Sequence, residues 1–470
     1  MDRMTPLDAA FLEAEDEEPG VSMAISSIAV FDGPAPTYDE FAELLTGRLA
    51  LIPRYRQKAR QLPFDLGPPV WYDDEHFDLS YHLRHTALPA PGGDDELSAL
   101  MGRIMSARLN RDHPLWEYWL VDGLKGGRWA LISKVHHCMV DGVSGTDLYT
   151  VVLDPTPEPR SAVSDEWTPQ PTPTTVGLTA GAVGQLMLTP VRQLRLVVAG
   201  LQQPGTLAYR SWSIARGLWA LSEAVLPASP SSLSGSLSSS RRYAFGRATV
   251  AQVKAIRRKL GGTFNDVVLA AVTGGFRALL LSRGETPHPN SVRTLVPVNV
   301  RAPGEESIRD NRVSMMLAGL PVHLEDPVER LAAVRARLDE LKSDHEIDSV
   351  ALLTELARQE PFAVIASGYR MAARFPQRSI VTVVTNVPGP RQPLYALGRR
   401  LVEIIPYVPI GSTVRTGVSI LSYCDSVAFG VTGDFDEPDL AVLAEGIESS
   451  LTELAAAGRR QPTRRARSTG

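Results

Sequence analysis

Adjacent histidines open the segment of this 470-residue chain in which side-chain type and spacing converge on chemistry: His136-His137-Cys138-Met139-Val140-Asp141-Gly142. In a chain of this composition, His-His-x-x-x-Asp-Gly arises by chance about once in a thousand sequences, well above background. The segment follows the apolar run Trp129–Val135, which reads as a strand. Successive side chains on a strand face opposite sides, so only one of the two imidazoles can reach a given substrate if the extended backbone continues. An imidazole, with an ordinary pKa of about 6.5, suits general-base work at neutral pH. Asp141 can fix a ring or a loop, and Gly142 permits a tight backbone that a side chain would obstruct. A pair of buried histidines beside an Asp-Gly turn is the competing reading. A zinc site is a second competitor, but no Cys or second His cluster completes four ligands, so no metal is expected. Cys138 alternates away from His137 and is not expected to act as a nucleophile.

Three further places carry polar or rigid residues. Asn265 and Asp266 stand at the start of the apolar helical pattern Asn265–Leu281, where they read equally as a helix cap or as part of a site. Pro388-Gly389-Pro390, after a strand at Ser379–Val384, makes a rigid turn. Trp116, in Pro114-Leu115-Trp116, offers a large apolar surface beneath the active strand.

These groups need a scaffold, and 470 residues suffice for two domains with separate cores. A helical pattern at Glu96–Leu109 and the strand Trp129–Val135 belong to a first α/β unit. The prolines at 155, 157, 159, 169, 171 and 173 then begin a linker. Leu186–Leu201 and Ser211–Leu226 read as linker helices, and the Ser-rich Pro227–Ser240 as a flexible segment. The second unit begins near Arg241 with helices at Val250–Lys259 and Asn265–Leu281. Strands follow at Arg293–Val300, Ser379–Val384 and Ser426–Thr432. Leu440, Leu443, Ile447, Leu451 and Leu454 recur at helical spacing, with Asp439 placed to cap that helix and Gly458 to end it. The expected division is 1–160, a linker at 161–240, 241–458, and a basic tail at 459–470.

A net charge of −5 conceals an asymmetry: between Trp167 and Asn265, eleven Lys and Arg residues stand against one acid, Glu223. Such a patch draws anionic lipid or the phosphates of a nucleotide. Nucleic acid is not expected, since no zinc spacing, RNA-binding signature or stacking platform accompanies it. Two cysteines fit a reducing compartment, and the N-terminus lacks a basic stretch followed by an apolar run. Arg192 and Arg195 interrupt one apolar window; Asn265, Asp266 and Arg277 interrupt another, so neither reads as a membrane span. A cytoplasmic protein that lies on a membrane or lipid-droplet surface is the expectation.

The His-His-x-x-x-Asp-Gly pattern resembles the signature of the chloramphenicol acetyltransferase-like superfamily. Nearly the whole chain resembles, more specifically, the bacterial wax ester synthase/diacylglycerol acyltransferases. Seven short matches lie in order around it: Met4-Thr5-Pro6-Leu7-Asp8, Phe31-Asp32-Gly33, Pro53-Arg54-Tyr55-Arg56, Pro114-Leu115-Trp116-Glu117, Asn265-Asp266-Val267, Pro297-Val298-Asn299-Val300-Arg301 and Asn386-Val387-Pro388-Gly389-Pro390. Where many members carry a His-containing segment before Phe-Asp-Gly, this chain reads Ser22-Met23-Ala24-Ile25-Ser26.

The resemblance implies two α/β domains of mixed sheets and flanking helices, with an active-site tunnel between them. It implies His137 as the base for transfer from acyl-CoA, a substrate, to diacylglycerol or a long-chain alcohol, with no bound cofactor. His136, Asp141 and Gly142 complete the catalytic segment, and Asp141 would pair with Arg301. Asn265 and Asp266 would shape the tunnel near His137, while Pro114, Trp116, Asn386, Pro388 and Gly389 would lie along the substrate channel. Another acyl transfer on the same fold, such as amide formation on a carrier-bound substrate, remains open, as does a lipid-binding protein without turnover.

Overall fold

The computed structural model describes residues 2–140, 149, 151–161, 163–180, 183–184, 231–299, 313–343 and 379–460. Asp141, Gly142 and Arg301 lie outside the described residues, as do both expected linker helices and the last ten positions of the tail.

The chain opens with helix α1 (Pro6–Glu17), capped by the Thr5 side chain and started by Pro6, whose missing N–H costs nothing at that position. Strand β1 (Ala24–Phe31) follows, then α2 (Tyr38–Leu49), β2 (Gln57–Arg60), β3 (Val70–Asp73), α3 (Leu79–His82), β4 (Leu83–Ala87) and α4 (Asp94–Ser106). Strands β5 (Trp116–Leu124) and β6 (Arg128–His136) end this part. The later part holds β7 (Arg241–Thr249), α5 (Val250–Leu260), α6 (Phe264–Ser282), β8 (Arg293–Asn299), β9 (Val313–Gly319) and α7 (Pro327–Ser343). It continues with β10 (Thr382–Pro388), β11 (Tyr395–Ala396), β12 (Arg399–Tyr407), β13 (Thr416–Tyr423), β14 (Ser426–Asp434) and α8 (Leu440–Arg460).

Two six-stranded mixed sheets result, ordered β11-β12-β1-β6-β5-β4 and β7-β14-β13-β10-β8-β9. The first sheet is not built from the first part of the chain alone: β12 pairs antiparallel with β1 from Ser26↔Tyr407 to Phe31↔Leu401. Across β1 lies β6, with Ala24 opposite His136, so the paired histidine stands at the very end of the ladder. The two parts of the chain also touch directly, where the Arg241 N–H donates to the Ser106 hydroxyl at 2.8 Å.

The apolar helix α6 carries the expected core face and more, since Val267 to Val272 and Phe276 are all buried. Among the described residues it is the one helix long and apolar enough to cross a membrane, yet 72% of that window is buried within the protein. Its apolarity serves the core it shares with β13, β14 and α8.

Four sequence expectations need correction. Helix α8 continues through Gly458 to Arg460. A Cβ at Gly458 would stand 3.2 Å from Cβ of Lys259, so this glycine serves the packing of α8 on α5 rather than a helix stop. The described end of the Ser-rich segment is anchored: Leu233 is wholly buried, and Ser238 donates through both N and Oγ to Asp434, at 2.7 and 3.0 Å. Strand β10 runs from Thr382 to Pro388, later than expected, because its parallel register with β13 extends that far; Pro388, without an N–H, closes it. The basic patch is also divided. Arg241 binds Asp434 and the Gly20 carbonyl, and Arg247 binds Glu403 and Asp94, so those charges tie the fold together. On α5, Lys254, Arg257, Arg258 and Lys259 remain exposed.

Candidate active site

Strand β6 stops at His136 because the chain tightens into a 3-10 turn over His137–Met139. The residues just before two neighbouring strands hold this exit: Leu115 accepts the His136 N–H at 2.9 Å, and Met23 accepts the His137 N–H at 3.0 Å. The Val140 N–H closes the turn on the His137 carbonyl at 3.2 Å. Strand alternation therefore ends where it was expected to separate the two imidazoles. Both rings instead meet helix α1.

His136 is 1% exposed, and its Nδ1 accepts the Cys138 N–H at 3.2 Å, with the Cys138 Sγ 2.9 Å away. That bond places the ring proton on Nε2, 3.4 Å from Oε1 of Glu15. Burial pushes the Glu15 carboxyl up. The neighbouring His136 ring, the Met23 N–H and Arg111 outweigh burial and leave it at about 2. Lys134, two residues before His136, is buried and donates to the Ile104 and Ala107 carbonyls at 2.8 and 2.5 Å, fastening β6 to the end of α4.

His137 stacks on Phe11 of α1, with ring centroids 4.0 Å apart and planes inclined by 26°. Burial, followed by the nearness of His136, lowers its pKa to about 4, with its own carbonyl resisting the shift. The ring is thus neutral at pH 7 and carries a lone pair. Cys138 is 1% exposed, tucked against His136, and burial pushes its thiol well above the ordinary range, which leaves no thiolate for nucleophilic attack.

The other expected residues form separate groups. Asn265, in the first turn of α6, and Asn386, on β10, are brought together: Asn386 Nδ2 donates to Asn265 Oδ1 at 3.0 Å. That leaves the Asn265 amide N–H groups as donors. Asp266 is 2% exposed and completes a capping box whose cap is Thr263, accepting the Thr263 N–H at 2.7 Å. Asp266 thus completes the capping box, and the cap itself is Thr263, neither Asn265 nor Asp266. Pro388 is exposed at the end of β10. Gly389 must lack a side chain, since a Cβ there would lie 2.2 Å from the Ser422 carbonyl oxygen. Pro114 accepts the Trp116 N–H at 2.9 Å. Trp116 is fully buried between Tyr55 and His82, at centroid distances of 4.5 and 4.4 Å, and donates to the Tyr55 carbonyl at 2.8 Å. Its surface is spent on packing.

Phe11, Glu15, Met23 and Arg111 were not read from the sequence as neighbours of the histidines. The signal was present but ambiguous. Asp8, Leu12 and Glu15 recur at helical spacing and are all buried, but that spacing does not say what the face packs against. Two clefts of about 300 and 270 Å³ open elsewhere, one lined by Leu153, Arg160, Arg391 and Leu394, the other by Leu49, Arg56, Asp165 and Trp167.

Two mixed sheets with a neutral histidine at the end of a central strand define an acyl-transfer protein of the chloramphenicol acetyltransferase-like fold. Crystallised condensation domains share that fold, among them the first condensation domain of the calcium-dependent antibiotic synthetase, at 16% identity and a TM-score of 0.56 over 97% of each chain. The wax ester synthase/diacylglycerol acyltransferase catalytic domain profile matches residues 4–268, and the C-terminal domain profile matches residues 310–455. A Mycobacterium tuberculosis protein named "Probable diacyglycerol O-acyltransferase tgs1" is 40% identical, covering 99% of this chain and 98% of its own length. The wax ester synthase/diacylglycerol acyltransferase of Marinobacter aquaeolei VT8 superposes with a TM-score of 0.67 at 25% identity, covering 97% of this chain and all of that one. The chain belongs to the wax ester synthase/diacylglycerol acyltransferase family and is an acyltransferase.

Proposed function

We propose that the protein transfers a long-chain acyl group from the thioester of acyl-CoA directly to a lipid hydroxyl, with His137 as general base. The observation that carries this is the half-buried imidazole of His137, stacked on Phe11 where the chain leaves the end of β6, its pKa lowered to about 4. One ring nitrogen takes the acceptor's hydroxyl proton as its oxygen attacks the thioester carbonyl. The C–O bond forms, the C–S bond breaks, and the proton passes to the departing CoA thiolate. An imidazolium held in a site that resists charge is a strong acid, so the second transfer is driven by the same burial that keeps the ring neutral beforehand. No acyl-enzyme is required.

The Asn265 amide, oriented by Asn386, would donate to the developing oxyanion. Asp141 and Arg301 would pair to hold the two parts of the chain around the reacting atoms, and breaking a buried pair of that kind costs about 3–5 kcal/mol. Asn386, Pro388 and Gly389 would line the channel. The names of the mycobacterial relatives favour diacylglycerol as acceptor, and the Marinobacter protein's name adds a fatty alcohol. Purified protein incubated with labelled palmitoyl-CoA and either diacylglycerol or hexadecanol tests the reading. His137→Ala should lose about 10²–10⁴ in rate. Equal, background-level product from both proteins would end it.

The acceptor dissolves in membranes, so we place the enzyme on the inner face of the membrane or on lipid droplets. The exposed cations of α5 and the arginines of the linker support that reading. Co-sedimentation should be stronger with anionic than with neutral phospholipid vesicles; equal binding to both would count against it.

A further inference from the structure

Helix α1 spends two side chains of one face on the histidine pair. Phe11 and Glu15 are four residues apart, hence neighbours on the helix surface. Phe11 stacks on the His137 ring at 4.0 Å. Glu15 accepts the Met23 N–H at 2.6 Å through Oε1, and the carbonyl of that same Met23 accepts the His137 N–H at 3.0 Å. The same oxygen lies 3.4 Å from His136 Nε2. The helix therefore grips the ring of His137 directly and its backbone through a single intervening residue.

The placement of Glu15 is costly on general grounds. It is 2% exposed and sits in the last turn of α1, where the helix dipole disfavours an acid. Arg111 compensates, reaching Glu15 Oε2 at 3.4 Å while donating to the Leu12 carbonyl at 3.0 Å, and so pins α1 to the segment leading into β5. A helix packed on this turn needs neither a buried carboxylate nor an aromatic ring against the base. The turn needs both if its imidazole is to stay in one orientation, because residues 137–140 have left the sheet and no longer have a ladder on both sides.

We propose that α1 is the orienting arm of the catalytic base, with Phe11 and Glu15 as positioning residues that act through His137. The inference rests on the reading of His137 as general base. The ionisable groups around the turn are His136 on the strand, Asp8 and Glu15 on α1, and Arg111 and Arg54 from the flanking segments.

The test uses the full-length protein with palmitoyl-CoA and dioleoylglycerol, comparing Phe11→Ala, Phe11→Tyr, Glu15→Ala, Glu15→Gln and His137→Ala. Misplacing a reacting group by about 1 Å costs on the order of 100-fold. Phe11→Ala and Glu15→Ala should therefore lose about 10- to 100-fold in kcat, with KM for both substrates within about twofold. Phe11→Tyr keeps the stack and Glu15→Gln keeps the acceptor for Met23, so both should recover most of kcat. Opening the ring to water in Phe11→Ala should also move the acidic limb of the kcat/KM profile upward, a shift that general loosening of the fold would not produce. Unchanged kcat in both alanine variants, a change confined to KM, or failure of the conservative variants to recover would each overturn the proposal. If Phe11→Ala fails to fold by circular dichroism, Phe11→Leu, which keeps bulk but not the stack, carries the same expectation. His137→Ala separates the two levels: if it is inactive while the α1 variants match wild type, only the orienting arm falls; if it matches wild type, the base reading falls first.

Discussion

Acidifying the assay from pH 7 to pH 5.5 should leave kcat/KM almost unchanged, although the proposed base is a histidine. With the His137 pKa lowered to about 4 by burial, about 97% of the free enzyme still carries a neutral ring at pH 5.5. An unperturbed histidine of pKa about 6.5 would be about 9% neutral there, and activity would fall roughly tenfold. Stability moves in the same window and must be followed alongside. His137 and the buried His82, also lowered to about 4, bind a proton less readily folded than unfolded. Their contribution is complete above about pH 6.5 and is lost as the pH falls toward 4, at about 1.4 kcal/mol per pH unit for each ring. At pH 5.5 the two together cost about 3 kcal/mol, less than the stability of an ordinary domain. Glu15 has a dependence of the same sign in a lower window: its pKa lies at about 2 when folded, so its contribution is lost only below about pH 4.5 and is untouched here. The measurement is kcat/KM with labelled palmitoyl-CoA between pH 5.5 and 8, with circular dichroism and a melting curve at each pH. A plateau down to pH 5.5 with a lowered melting temperature is expected. A rate that falls with an apparent pKa near 6.5 while the circular dichroism is unchanged would refute a desolvated base.

Two further outcomes follow from burial around the same strands. Cys138→Ala should retain wild-type kcat, and iodoacetamide should not inactivate the native enzyme through this thiol, which is 1% exposed and pushed far from ionisation. Loss of more than tenfold with normal folding would reopen a covalent route. Trp116→Ala should destabilise by about 3–5 kcal/mol, measured by urea denaturation, since it empties a full aromatic site. It also strips a donor from the Tyr55 carbonyl. A change below about 1 kcal/mol would show that the stack is not part of the core.

Much of this protein is legible from the chain alone because the relevant forces act between near neighbours. The apolar run Trp129–Val135 becomes β6, the long apolar pattern becomes α6, and the leucines from 440 to 454 become the buried face of α8. The His-His-x-x-x-Asp-Gly pattern and the short matches around it likewise assigned the family without coordinates. What required tertiary structure is pairing across distance, which periodicity does not encode. Only the fold shows that β12 crosses to lie beside β1, or that Asn386 meets Asn265 across 121 positions. Only the fold shows that Arg241 and Arg247 are committed to ion pairs with distant acids of the same chain. The acids after Phe11 carry no sign of their surroundings, because a sequence records charge and not what a helix face will be pressed against. The site is set by a contact between residues 11 to 15 and residues 136 and 137, which no local rule relates and which forms only once α1 lies across the end of β6.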